Sequence, residues 1–132
     1  FVTEAIVPRA GETLLVAPAA GAVGSLVCQM VRAAAPGARV VGTALGETQA
    51  TFLETLGVEP IAPDADWPGP GGIDGFVDGV GGAFHDRMLA ALNPRARVLL
   101  LGFVSTYGAE GPPHYGNAAA ILLKRARMEG FL

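Results

Sequence analysis

The residues with the clearest chemical potential follow a short apolar run, Thr13 to Ala17, and lead straight into a stretch with helical periodicity. They are Pro18, Ala19, Ala20, Gly21, Ala22, Val23 and Gly24. Small side chains at such a junction let a ligand come close to the backbone. A diphosphate placed there would meet the first free N–H groups and the positive dipole end of the helix. Other reactive side chains are scattered. Asp78 closes an apolar run and reads as a turn or helix-capping acceptor rather than a base, and Cys28 reads as a small core residue. His85, at the opening of a helix, and His114, in a loop beside Tyr115, read as surface residues. One cysteine excludes an internal disulfide, and with only two histidines beside it no zinc site is expected within this segment.

The elements that must position this turn alternate in type. Thr13–Ala17 is a strand, and the helix after the turn places Val23, Leu26, Val27, Met30 and Val31 on one face, which is expected to be the buried one. Phe1 to Glu12, with Pro8 and Gly11, reads as a lead-in with a turn. Ala38 to Ala44 is a second strand, Glu47 to Leu56 a second helix, and a short third strand falls near Pro60 to Ala62. The Pro-, Gly- and Asp-rich loop that follows contains Trp67, expected to plug a sheet face left without a helix. Ile73 to Asp78 is a strand, Ala83 to Leu92 a helix, Val98 to Val104 a buried strand, Asn117 to about Arg125 a helix capped by Asn117, and Met128 to Leu132 a last strand. Arg95, Arg97, Lys124, Arg125 and Arg127 are read as a solvated face. Alternating strands and helices imply an α/β fold with a doubly wound parallel sheet. Its ligand crevice lies beyond the carboxyl ends of the strands, where the strand order reverses.

Composition narrows the class. A chain of 132 residues suits one domain with one core and is short for a complete two-domain enzyme. The hydrophobic fraction of 51% and mean hydropathy of +0.43 are high, yet Gly or charge interrupts every stretch. Buried parallel strands are therefore expected rather than a membrane span. A net charge of −3 with nine scattered basic residues offers no stripe for nucleic acid or anionic lipid. No targeting signal is visible, so a cytoplasmic setting is expected. The absence of an initial Met and the apolar end lead to the expectation of a piece of a longer polypeptide. A short-chain dehydrogenase would need Tyr followed four residues later by Lys, but Tyr107 is followed by Gly111 and Tyr115 by Ala119. A methyltransferase would close its second strand with an acid, and none stands there.

Five stretches in order, Gly11 to Ser25, Val40 to Ala44, Phe76 to Gly82, Leu100 to Gly108 and Leu122 to Leu132, together resemble the zinc-independent medium-chain dehydrogenase/reductases, in particular the branch of prostaglandin, alkenal double-bond and quinone reductases. The resemblance implies a Rossmann-type NAD(P)-binding domain over residues 13–132, but the segment between Pro63 and Ile73 departs from the family in being too short for its crossover helix, so a shortened crossover between the third and fourth strands is expected. The resemblance also makes residues 1–12 a lead-in from a substrate domain that lies elsewhere. It implies NADP as cofactor, with NAD as the alternative, and an enone, enal or quinone as substrate. Ala19, Ala20, Gly21, Ala22, Val23 and Gly24 match the pyrophosphate turn. Val80, Gly81, Phe103, Val104 and Ser105 match backbone on the nicotinamide side. Tyr107 matches a tyrosine that hydrogen-bonds the substrate carbonyl as negative charge develops on it. Thr43, Gly46 and Gln49 fall among the cofactor contacts, but the family's serine and lysine for the 2′-phosphate match Gly46 and Gln49. Pro18 and Gly79 are further departures. They support a rival expectation, a degenerate domain kept for structure or for dimerisation through the C-terminal edge strand.

Overall fold

A computed structural model describes residues 2–68, 71–111 and 113–132. Phe1, Gly69, Pro70 and Pro112, which belong to the expected lead-in and loops, lie outside the described residues. Thr13–Ala17 (β1) is the axis of a parallel sheet and pairs on one side with Arg39–Thr43 (β2) and on the other with Ile73–Asp78 (β4). Glu59–Ile61 (β3) extends the sheet beyond β2, while Leu92–Leu100 (β5) and Arg127–Gly130 (β6) extend it beyond β4. The order β3-β2-β1-β4-β5-β6 is the expected doubly wound arrangement, and its reversal lies between β1 and β4. Among the described residues, 62–68 and 71–72 carry no helix between β3 and β4, so this crossover is short, as expected.

Alternation along the strands divides the core into two faces. Leu14, Val16, Val40, Val77 and Leu99 face Ala22–Ala34 (α2) together with a short helix, Val2–Ile6 (α1). Leu15, Val41, Phe76 and Val98 face Gly82–Ala90 (α4), where Phe84, Met88 and Leu89 turn inward as their spacing predicts, and Ala118–Lys124 (α5). Glu47–Thr55 (α3) buries Leu53 in the first of these clusters. Trp67 is half-buried against the cluster containing Val41 and Ile61, donates its indole N–H to the Gly71 carbonyl at 3.0 Å, and lies 5.9 Å from the Arg39 guanidinium. Trp67→Ala should therefore lower stability by about 2 kcal/mol in chemical denaturation, since it opens a cavity over half-buried rather than fully buried surface. An unchanged midpoint would remove the covering role. Among the described residues no helix is long and apolar enough to cross a membrane.

Several expectations are corrected. The lead-in is helical over Val2–Ile6, and Val2, Ala5 and Ile6 are buried. Arg97 is not on a solvated face: its guanidinium makes two hydrogen bonds to the Glu12 carboxylate, at 2.9 and 2.6 Å, and donates to the Ile6 and Val7 carbonyls. Arg127 likewise donates to the Ala5 carbonyl, so two arginines satisfy the orphan carbonyls at the end of α1. On α2 the buried side is Gly24, Val27, Cys28 and Val31, whereas Val23, Leu26 and Met30 are exposed by 62%, 60% and 42%. The helix lies so close to the sheet that its small residues, not its largest apolar ones, face inward. Burial also pushes the Cys28 thiol up to about 11, in keeping with an inert core residue. Strand β5 begins at Leu92 and ends at Leu100, so Phe103 and Val104 have left the sheet, and residues 104–106 form a 3-10 turn. Asn117 does not cap α5 with its side chain; its amide instead donates to the Asp86 carbonyl at 2.9 Å.

Candidate functional site

The turn from β1 to α2 carries the site. Gly21 is the N-cap of α2, in extended backbone (φ −77°, ψ 173°), with no side chain capping the helix and no acid in its first turn. The positive end of the helix is thus uncompensated by the protein. The two glycines of the turn differ in their surroundings. A Cβ on Gly24 would lie 1.9 Å from the Pro18 carbonyl oxygen and 2.8 Å from the Ala19 Cα, so Gly24 is what lets α2 seat against the turn. A Cβ on Gly21 would meet nothing within 4 Å.

Two apolar clefts flank the turn, and Pro18 and Gly21 line both. One, of about 310 Å³, is bounded by Ala22, Val23 and Gly24, by the ends of β1 and β4, and by Tyr107. The other, of about 280 Å³, is bounded by Ala20, Thr43, Leu45, Gln49, Pro63, Val80, Phe84 and Val104. Ala19 lines neither cleft and is fully buried behind the turn. Gly46 faces a separate shallow depression with Ala44 and Pro60 rather than the cleft that holds Gln49. Gln49 uses its side-chain oxygen to accept the Leu45 N–H at 2.8 Å, tying down the turn before α3. Val80 and Val104 line the cleft that holds Thr43, whereas Tyr107, whose N–H is donated to the Val104 carbonyl at 3.2 Å, lines the other. Phe103 faces a further depression with Tyr115 and Phe131, and its ring meets that of Tyr107 edge-on at 5.8 Å.

Hydrogen bonds around Asp78 explain that placement. The Asp78 carboxylate, fully buried at the end of β4, accepts the Val80 and Gly81 N–H groups at 2.8 and 3.0 Å through one oxygen. Its other oxygen is 2.7 Å from Nδ1 of His85. The Val80 carbonyl in turn accepts both the Ser105 hydroxyl, at 2.6 Å, and the Ser105 N–H, at 3.0 Å. Ser105 therefore stitches the loop after β5 to the loop after β4 and swings Val80 toward the cleft on the β2 side. Asp78 is the turn acceptor expected of it. His85 corrects the surface reading: it is fully buried, between Phe76 and the edge of Tyr115, and Nε2 has no partner among the described residues. Its nearness to Asp78 carries one readable signal, an acid ending a strand with a histidine in the first turn of the next helix. His114 is exposed, as expected, and sits 3.2 Å from Asp86.

Two tyrosines face this end of the sheet. Tyr115, not singled out by sequence, donates its hydroxyl to the Gly102 carbonyl at 2.6 Å. Burial, followed by the nearby Asp78 carboxylate, raises its phenol above the ordinary value, so it stays a donor. Tyr107 is 70% exposed, and its hydroxyl makes no hydrogen bond among the described residues. No three His, Cys, Asp or Glu side chains converge as a metal site among the described residues.

A doubly wound parallel sheet with paired clefts at its topological switch point defines the class, a Rossmann-type nucleotide-binding fold. Within that class the chain belongs to the zinc-binding dehydrogenase family, whose sequence profile matches residues 22–132. It is 34% identical to prostaglandin reductase 1 of Mus musculus, over 94% of this chain and 40% of that protein. It is 37% identical to the NADPH-dependent curcumin reductase of Escherichia coli, over 95% of this chain and 40% of that protein. Among solved structures, CurA of Vibrio vulnificus in complex with NADPH superposes with a TM-score of 0.83 at 35% identity, covering 99% of this chain and 42% of that one. The chain thus spans about 40% of the length of the curated relatives it matches.

Proposed function

We propose that this chain is the NADPH-binding domain of a longer reductase that delivers hydride to an α,β-unsaturated ketone or aldehyde, or to a quinone. In this reading residues 1–12 lead in from the substrate domain. The observation that carries it is the pair of clefts meeting at Gly21, beneath an uncapped helix start. A dinucleotide is two ring systems joined by a diphosphate, and this surface is two apolar hollows joined by the electropositive N–H end of a helix. The open space over Gly21 fits the group, because a diphosphate could lie where a side chain would otherwise project. NADPH rather than NADH is supported by the NADPH-dependent relative and the NADPH-bound neighbour.

The bound cofactor would supply the hydride; the chain's own residues bind and orient. The first-turn N–H groups of α2 would hold the diphosphate, Thr43 and Gln49 would flank the adenosine, and Val23 would line the cleft that Tyr107 shares. Asp78 and Ser105 keep the backbone between Gly79 and Ser105 in register beneath it. When hydride adds to the β-carbon of an enone, negative charge grows on the carbonyl oxygen. The exposed Tyr107 hydroxyl, with its ring against that of Phe103, would donate to it.

Calorimetric titration with NADPH and, separately, NADH tests the reading. Saturable binding with NADPH preferred is the expected result, and no binding of either at millimolar ligand would favour the degenerate domain. In the full polypeptide Tyr107→Phe should lower kcat about 100-fold with little change in KM for NADPH. An unchanged kcat would remove Tyr107 from the chemistry.

A further inference from the structure

A cofactor with a 2′-phosphate needs a cation near its adenosine ribose, and the turn after β2 has none, since it runs Leu45, Gly46, Glu47. The structure places the nine basic side chains, and eight lie away from the adenosine-side cleft. Arg39 pairs with Glu59 at the start of β2, and Arg9 and Arg97 bind Glu12. Arg127 holds α1, and the Arg32 guanidinium lies against Gly57. Arg95 sits in the first half of β5, and Lys124 and Arg125 end α5.

Arg87 is the remaining one. It projects from α4 and, without lining that cleft itself, touches two residues of its wall: Nη2 donates to the Pro63 carbonyl at 2.5 Å and its guanidinium carbon lies 5.8 Å from the centre of the Phe84 ring. Pro63 and Phe84 both line the cleft, facing Thr43, Leu45 and Gln49. Arg87 makes no ion pair among the described residues, so most of its donors remain to be used. A guanidinium fixed by one carbonyl and one ring face, with its charge unneutralised, is suited to bidentate recognition of a phosphate.

We propose that Arg87 is the specificity-determining residue that selects the 2′-phosphorylated dinucleotide, taking over from α4 the part that a lysine after β2 would play. The proposal rests on the reading of this cleft as an adenosine site. The test is a titration of the full polypeptide and its Arg87→Ala and Arg87→Lys variants with NADPH, NADH and 2′,5′-ADP, with thermal midpoints measured alongside.

The expected result is a loss of about 30-fold in NADPH and 2′,5′-ADP affinity for Arg87→Ala, with a change under about 2-fold for NADH. Arg87→Lys should recover part of the loss, and the thermal midpoints should stay close to the parent. Equal losses for NADPH and NADH would show stacking or cleft shape instead and would overturn the proposal, as would unchanged NADPH binding by Arg87→Ala. Failure of the parent protein to bind any of the three ligands is a different result. It would overturn the adenosine-site reading and this proposal with it.

Discussion

Gly24→Ala should lower the stability of the chain by about 3 kcal/mol or more, seen as a fall of about 10 °C in its thermal midpoint. The added methyl would have to occupy a point 1.9 Å from the Pro18 carbonyl oxygen and 2.9 Å from the Pro18 carbonyl carbon. Both obstacles are backbone, so no rotamer change relieves the overlap. Either α2 lifts off the turn or the turn deforms. Lifting the helix would pull Val27, Cys28 and Val31 away from Leu14, Val16 and Val40 across the same layer of the core. A loss of this size is a large fraction of the total for a domain whose stability is on the order of 5–15 kcal/mol. Gly37→Ala should cost less, because there the tightest contact of an added methyl is the side-chain methyl of Ala10 at 3.1 Å, which can give way. If Gly24→Ala melted with the parent, the close seating of α2 on the turn would be wrong.

The centre of the sheet was legible because β1 is buried on both faces from Leu14 onward and reads as a short apolar run, and β4 is buried at nearly every position. Thr13–Ala17 and Ile73–Asp78 match their expected limits. The same signal overran its meaning at the end of β5, where the apolar run continues into Phe103 and Val104 although the sheet stops at Leu100. Those two residues are apolar because they line hollows, and sequence does not distinguish a cleft wall from a strand. On α2 the five large apolar residues span a face wider than the sheet can cover, and the position of Gly24 and Cys28 decides which half turns inward. Helix α1 is too short for a periodicity, and its anchor is an ion pair between Glu12 and Arg97, 85 residues apart. No local pattern reports that separation. The burial of His85 was hidden for a related reason. A histidine in the first turn of a helix is ordinarily solvated, and only the chain reversal through Gly81 brings it to Asp78.

The two glycines of the turn were indistinguishable in sequence, and the structure gives them opposite sensitivities. Gly21→Asp should leave the ligand-free chain as stable as the parent, or more stable by about 0.5–1 kcal/mol, while weakening NADPH binding by at least about 100-fold. The gain arises because position 21 already has the extended backbone of an N-cap, and the helix it starts has neither a capping side chain nor an acid in its first turn. An aspartate there would accept a first-turn N–H and sit at the positive end of the dipole. The loss has the same origin. The carboxylate would occupy the open space between the two clefts and meet the diphosphate with like charge at short range. Gly21→Asn separates the two effects, since it caps comparably without the charge and should weaken binding less. Differential scanning calorimetry of the free protein and titration with NADPH supply the two readouts. A parallel fall in stability and affinity would mean that Gly21 serves the fold, as Gly24 does. Opposite movements would mean that the helix start is left bare for the ligand, at a small cost in stability to the free domain.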